Sequence, residues 1–114
     1  LKFTVIIGDA PYGKERAYSA LRFALTALLE GIDVNIFLLE DGVYVGKKDQ
    51  NPAGVPKYSE LLENAIEAGA VVKACGPCGK ARGISEEELL DGIAFGTMHD
   101  LIAFVKEADK TINF

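Results

Sequence analysis

The only two cysteines of the chain stand three residues apart in the stretch VVKACGPCGKARGIS, Val71 to Ser85. They follow a β-branched run and lie among glycines and basic side chains. Four chemistries fit such a pair. C-x-x-C spacing suits a dithiol that cycles with a disulfide, and it can lower a thiol pKa. It also supplies half of a structural zinc site, which needs about four ligands. A thiolate can attack a sulfane sulfur and hold it as a persulfide. Finally, two inert thiols can simply occupy a turn.

The surroundings weigh differently on each. A thioredoxin-type site needs a helix that begins within the motif, and Gly79 and Gly83 disfavour one directly after it. It also needs a cis-proline loop from later in the chain, whereas Pro11, Pro52, Pro56 and Pro77 all fall before or inside the motif. For zinc, the single His99 is the one further nitrogen or sulfur donor, and it sits in a helical segment where a surface role is the plainer reading. No metal and no resident cofactor are therefore expected. For a persulfide carrier the site must lower a thiol pKa from about 8.5. Lys80 and Arg82 lie close enough in sequence to help, Lys73 depends on which face of its strand it takes, and the N–H groups of Gly76, Gly79 and Gly83 could form a small anion nest. Cys75 ends the strand directly, so it is the better fixed and is the candidate nucleophile. Cys78 could resolve the persulfide, guard it, or only pack. The candidate site is thus Cys75, Cys78, Lys80 and Arg82.

A second motif, GDAPYGKE at Gly8 to Glu15, nearly spells a phosphate-binding P-loop. It fails where Ser or Thr should hold Mg²⁺, because Glu15 stands there. Asp9 adds a carboxylate that repels phosphate, and Pro11 removes an N–H from the cradle. A tight strand-to-helix turn is the simpler reading.

The elements that must position these residues alternate. FTVII at Phe3 to Ile7 reads as a strand buried on both faces. Lys14 to Glu30 carries an apolar stripe of Ala17, Leu21, Ala24 and Leu28, and Gly31 stops that helix. Asp33 to Leu39 is a second strand. Glu40 to Ser59 reads as a long surface loop, with one short helical turn near Val43. A helix capped by Ser59 follows and closes at Gly69. Ala70 to Cys75 is a third strand and Ile93 to Phe95 a short fourth. Ser85 with Glu88, and Thr97 with Asp100, have capping-box spacing. A last helix precedes a fifth strand at KTINF. The order predicts one domain, residues 1–114: a three-layer α/β/α sandwich with a five-stranded, mostly parallel sheet. Sites in such sheets lie beyond the carboxyl ends of the strands. Gly8 to Gly13, Glu40 to Tyr58 and Cys75 to Gly83 should therefore meet.

Composition narrows the function classes. At 114 residues and 49% hydrophobic content the chain can fill one core without disulfides. A net charge of −5 argues against nucleic acid as a direct partner. No apolar run approaches the ~20 residues of a membrane span, and the opening apolar run stops at Asp9, as a strand does and a signal peptide does not. Free thiols in such a chain suggest a reducing, cytoplasmic compartment.

Taken in order, APYG at Ala10, SALRFA at Ser19, FLLEDGV at Phe37, Cys75 and Cys78 followed by RGIS, LLDGIAFGT at Leu89 and ADKTINF at Ala108 resemble the DsrE/DsrF family, in particular its YchN-like branch. The resemblance covers nearly the whole chain. It implies a five-stranded parallel sheet and assembly as homotrimers or homohexamers. Related subunits carry sulfur on one cysteine after the third strand, a position that falls on Cys75. It implies sulfur donor and acceptor proteins as partners. Cys78 matches the second cysteine of the YchN-like branch, which the best-understood carriers lack. The expectation is a sulfur-transfer protein working by thiol-persulfide exchange. The alternatives are an oligomeric binding module with passive thiols, and a redox or metal-binding C-x-x-C protein.

Overall fold

In the computed structural model, which describes residues 1–114, the apolar runs of the sequence become five strands of a single sheet. They are β1 (Lys2–Ile7), β2 (Asp33–Leu38), β3 (Val71–Cys75), β4 (Ile93–Gly96) and β5 (Lys110–Asn113). The strands lie in the order β4-β3-β2-β1-β5, and every pairing is parallel. The helices are α1 (Arg16–Leu29), α2 (Tyr58–Glu67), α3 (Gly76–Ala81) and α4 (Met98–Glu107), with 3-10 turns at Glu40–Gly46 and Glu86–Glu88.

This order explains the layers. From β1 to β4 the chain steps across the sheet in one direction, and α4 then returns it past β1 to the far edge. Crossovers keep one hand, so reversing the direction moves the connecting helix to the opposite face. On the α1 and α2 side the sheet presents Val5, Ile7, Ile36 and Leu38, all fully buried. The small side chains of Ala17, Ala20 and Ala24 let α1 lie close to them. The α4 side is more polar. Register sets Thr4 beside Asn35 and Phe37 beside Lys73. The Thr4 hydroxyl donates to the Phe104 carbonyl at 2.8 Å, Asn35 Nδ2 donates to Glu107 at 2.6 Å, and the Lys73 ammonium meets Asp100 at 3.0 Å. Each polar group on this face has a partner, as burial requires.

The helix ends follow local chemistry with one exception. Gly31 and Gly69 close α1 and α2 with φ of +82° and +107°, a conformation that favours glycine. Thr97 with Asp100 and Ser85 with Glu88 both form the capping boxes their spacing predicts. Ser59 is not a cap. The helix α2 starts at Tyr58, after Lys57, two residues earlier than a Ser59 cap would set it, and Ser59 is 1% exposed inside its first turn. Packing against the core, rather than a hydroxyl cap, sets that start.

The segment after β2 also differs from the surface loop read from the sequence. Glu40 to Gly46 forms a 3-10 helix whose Val43 and Val45 are fully buried, and Lys47 bridges to Leu89. The segment crosses the end of β1 in direct contact. A Cβ on Gly42 would stand 1.9 Å from the Ile7 carbonyl oxygen, so only glycine fits. Gly42→Ala should therefore destabilise the fold by about 3 kcal/mol, because backbone must move to admit a methyl group. Urea unfolding measures this, and an unchanged midpoint would contradict the close approach.

Candidate functional site

The strand β3 ends at Cys75, and α3 begins at the next residue. Cys75 is the N-cap of that helix: its Sγ accepts the Cys78 N–H at 3.4 Å. Pro77 falls in the first turn, where no intrahelical partner for its missing N–H is needed. Of the two glycines that argued against a helix here, Gly83 lies just past its end with φ of +72°, and Gly79 lies inside it. A Cβ on Gly79 would lie 2.8 Å from the Phe95 ring, and one on Gly76 would touch the same residue. They seat α3 against β4. Their helix-propensity cost of about 1 kcal/mol each is set against that packing. The helix within the motif is thus a correction to the sequence reading, although the all-parallel sheet is not that of a thioredoxin.

The second sulfur is held from the other side. The Glu40 N–H donates to Cys78 Sγ at 3.2 Å. Glu40 has φ of +52°, a left-handed conformation that costs a non-glycine residue on the order of 1 kcal/mol. It stands where the chain leaves β2 and turns into the 3-10 helix. Next to it, Asp41 accepts from Arg82 Nε at 2.9 Å, and Arg82 Nη1 donates to the Cys78 carbonyl at 3.1 Å. Arg82 therefore ties the end of α3 to the Glu40 segment. Glu40 and Asp41 are the site residues that motif reading passed over. Their position after a parallel strand was the available signal, since the loop they open was expected at this edge.

The three expected loops do meet. Gly8 faces the Glu40 carboxylate, and a concavity of about 190 Å³ beside the site is lined by Asp9, Ala10, Gly13, Lys14 and Asp41. Two carboxylates in that lining oppose one lysine, which suits no phosphate. The rest of the long loop is tied to the Gly8–Gly13 turn through Tyr12. The Tyr12 hydroxyl accepts the Tyr58 N–H at 3.1 Å and donates to the Gln50 side-chain carbonyl, and the Tyr12 and Tyr58 rings are 4.5 Å apart.

Lys80 is exposed at the end of α3 and makes no ion pair. Lys73 is committed to Asp100 under α4, so it does not serve the cysteines. His99 is exposed on α4, and no third His, Cys, Asp or Glu converges on the pair. Of the N–H groups expected as a nest, the one that reaches Cys75 belongs to Cys78 instead.

Electrostatics at Cys75 run against the lowered pKa anticipated from neighbouring basic residues. Burial is the largest influence and pushes the thiol up, as does the adjacent Cys78 side chain; the Cys78 N–H and then Arg82 pull it down by less. Arg82 is already paired with Asp41, which also raises its own pKa. Cys75 is 8% exposed and Cys78 is half-buried; both are free thiols. In a Cys78→Ala variant, alkylation of the remaining Cys75 should be slow at neutral pH. Its rate should rise through the alkaline range, with a midpoint above that of the same protein unfolded in urea. Thiolate is the reactive form, and the folded site disfavours it. A midpoint below the unfolded one would reverse this reading.

A model of the DsrE/DsrF-like family matches residues 1–114. A protein of Methanocaldococcus jannaschii without an assigned function, MJ0989, is 75% identical over 114 residues, the full length of both chains. YchN of Escherichia coli K12 is 34% identical over 116 residues, covering 99% of this chain and 98% of YchN. The crystal structure of E. coli YchN superposes with a TM-score of 0.94 at 32% identity, covering 99% of this chain and 98% of that one. A more distant relative is the sulfurtransferase TusD of Cronobacter sakazakii, 29% identical over 93 residues, 76% of this chain and 70% of TusD. The chain, with its five parallel strands and its cysteine pair after the third, belongs to the DsrE/DsrF-like family.

Proposed function

We propose that this protein is a sulfur carrier in which Cys75 accepts sulfane sulfur from a donor protein and passes it to an acceptor protein. The observation that supports it most is the Cys75 sulfur capping α3, with a backbone N–H directed at it and a second thiol on the same turn. Membership in a family with a sulfurtransferase among its relatives agrees with it. In loading, the Cys75 thiolate attacks the outer sulfur of a donor persulfide. A new S–S bond forms, the donor S–S bond breaks, and the donor leaves as a thiolate. Unloading is the same exchange with the acceptor thiolate as nucleophile.

Each neighbour has a part. The Cys78 N–H stabilises charge on Cys75. Arg82 holds Cys78 and the Glu40 segment in place and adds positive charge. Lys80, unpaired at the surface, favours the approach of an anionic sulfur. Burial shields the bound sulfur from stray reductants at the cost of a smaller thiolate fraction. We place the protein in the cytoplasm as a homo-oligomer, a trimer or hexamer.

The low exposure of Cys75 also favours a competing reading, in which the thiols are passive in an oligomeric binding module. Anaerobic loading with inorganic polysulfide, followed by intact-mass measurement, separates the two. Cys78→Ser, which retains Cys75, should gain the mass of one sulfur atom, and Cys75→Ser should gain at most about a tenth as much adduct. Equal loading of Cys75→Ser, or none of Cys78→Ser, would refute the assignment.

A further inference from the structure

We propose that Cys78 resolves the sulfur carried on Cys75, closing a Cys75–Cys78 disulfide and releasing the sulfur as hydrosulfide. The inference rests on the reading of Cys75 as the persulfide site and adds an outcome to it: reductive release rather than relay alone.

The two sulfurs stand on one helical turn. Cys75 is the cap and Cys78 the third helical residue, and the Cys78 N–H already contacts Cys75 Sγ at 3.4 Å. Side chains three apart on a helix have Cβ atoms about 5–6 Å apart. A disulfide wants about 3.5–4.5 Å. The cap residue is not bound by helical dihedrals, with φ −59° and ψ 115°, so closing that gap does not require α3 to unwind. The upward push of the Cys78 side chain on the Cys75 thiol is consistent with the two groups being neighbours.

The other contacts give Cys78 the resolving part. Cys75 is nearly buried, whereas Cys78 is half-buried and so in part open to solvent. Its sulfur rests on the Glu40 N–H at 3.2 Å, and its carbonyl is held by Arg82. That support fixes the nucleophile near its target, which favours an intramolecular attack over one by a solvent thiol.

The step balances. Cys78 loses its proton to solvent, and its thiolate attacks the inner sulfur, Cys75 Sγ. The bond between Cys75 Sγ and the outer sulfur breaks, and hydrosulfide departs with the bonding pair. The sulfane sulfur is reduced by two electrons and the two thiols are oxidised to one disulfide. A dithiol reductant, itself becoming a disulfide, returns both cysteines to thiols by ordinary exchange. The net reaction converts sulfane sulfur and a dithiol into sulfide and a disulfide.

The test uses the full-length protein, reduced, desalted and kept anaerobic. It is given inorganic polysulfide limited to one transferable sulfur per chain, then sampled before any reductant is added. Wild type should end two hydrogen atoms lighter than its dithiol form, with sulfide in proportion to the protein. Cys78→Ser and Cys78→Ala should instead keep the added sulfur and release no more sulfide than loading itself frees from the polysulfide. A wild-type chain that keeps the added sulfur, with no disulfide and no sulfide beyond that of the Cys78 variants, would overturn the inference while leaving the carrier reading intact. Failure of both Cys78 variants to load would overturn both. Near-native circular dichroism of the variants keeps misfolding from passing as either result.

Discussion

Where the two sulfurs stand depends on how closely α3 can approach the Phe95 ring. Gly79 has no side chain, and the 2.8 Å that a Cβ would leave to the ring is too short for any other residue without movement. With that contact made, α3 can begin at the last residue of β3 and put Cys75 at its cap. Cys78 then comes round on the first turn and meets the Glu40 N–H. A larger residue at position 79 would lift the turn, and both sulfur contacts would be lost together. A weak helix former is therefore the residue that makes this helix possible.

The second constraint comes from the strand next door. The chain leaves β2 through Glu40 in a left-handed conformation and crosses β1 at Gly42. This crossing brings one peptide N–H to Cys78 and one carboxylate to Arg82. The Asp41–Arg82 pair is a surface pair, and such pairs add little to stability. Its importance lies in direction: Arg82 reaches the Cys78 carbonyl in the same arrangement, so α3 and the Glu40 segment keep one geometry. The same pairing leaves less positive charge for Cys75. Burial then outweighs Arg82, and the thiol shifts upward.

Away from the site, the polar ties under α4 secure the return of the chain across the sheet. Thr4, Asn35 and Lys73 would be costly on a covered sheet face if unpaired, and each finds a partner on α4. These bonds select the register of α4 against the sheet more than they add stability. No helix is long and apolar enough to cross a membrane.

Much was legible in the residues alone. The β-branched runs placed all five strands, and the glycines after Glu30 and Ala68 marked the ends of α1 and α2. Thr97–Asp100 and Ser85–Glu88 announced their capping boxes. These signals are local: period, cap chemistry and left-handed glycine act within a few residues. The meeting of the three loops followed from the parallel order, which is topology read from alternation. The short helix α3, the buried path of Glu40–Gly46 and the start of α2 were not legible. Each is decided by a contact between residues far apart in sequence: Gly79 with Phe95, Gly42 with Ile7, Ser59 with the core. The direction of the Cys75 pKa belongs with them. Sequence places basic residues near a thiol, but only the folded chain decides how much water is removed from the sulfur and which carboxylate claims the arginine first.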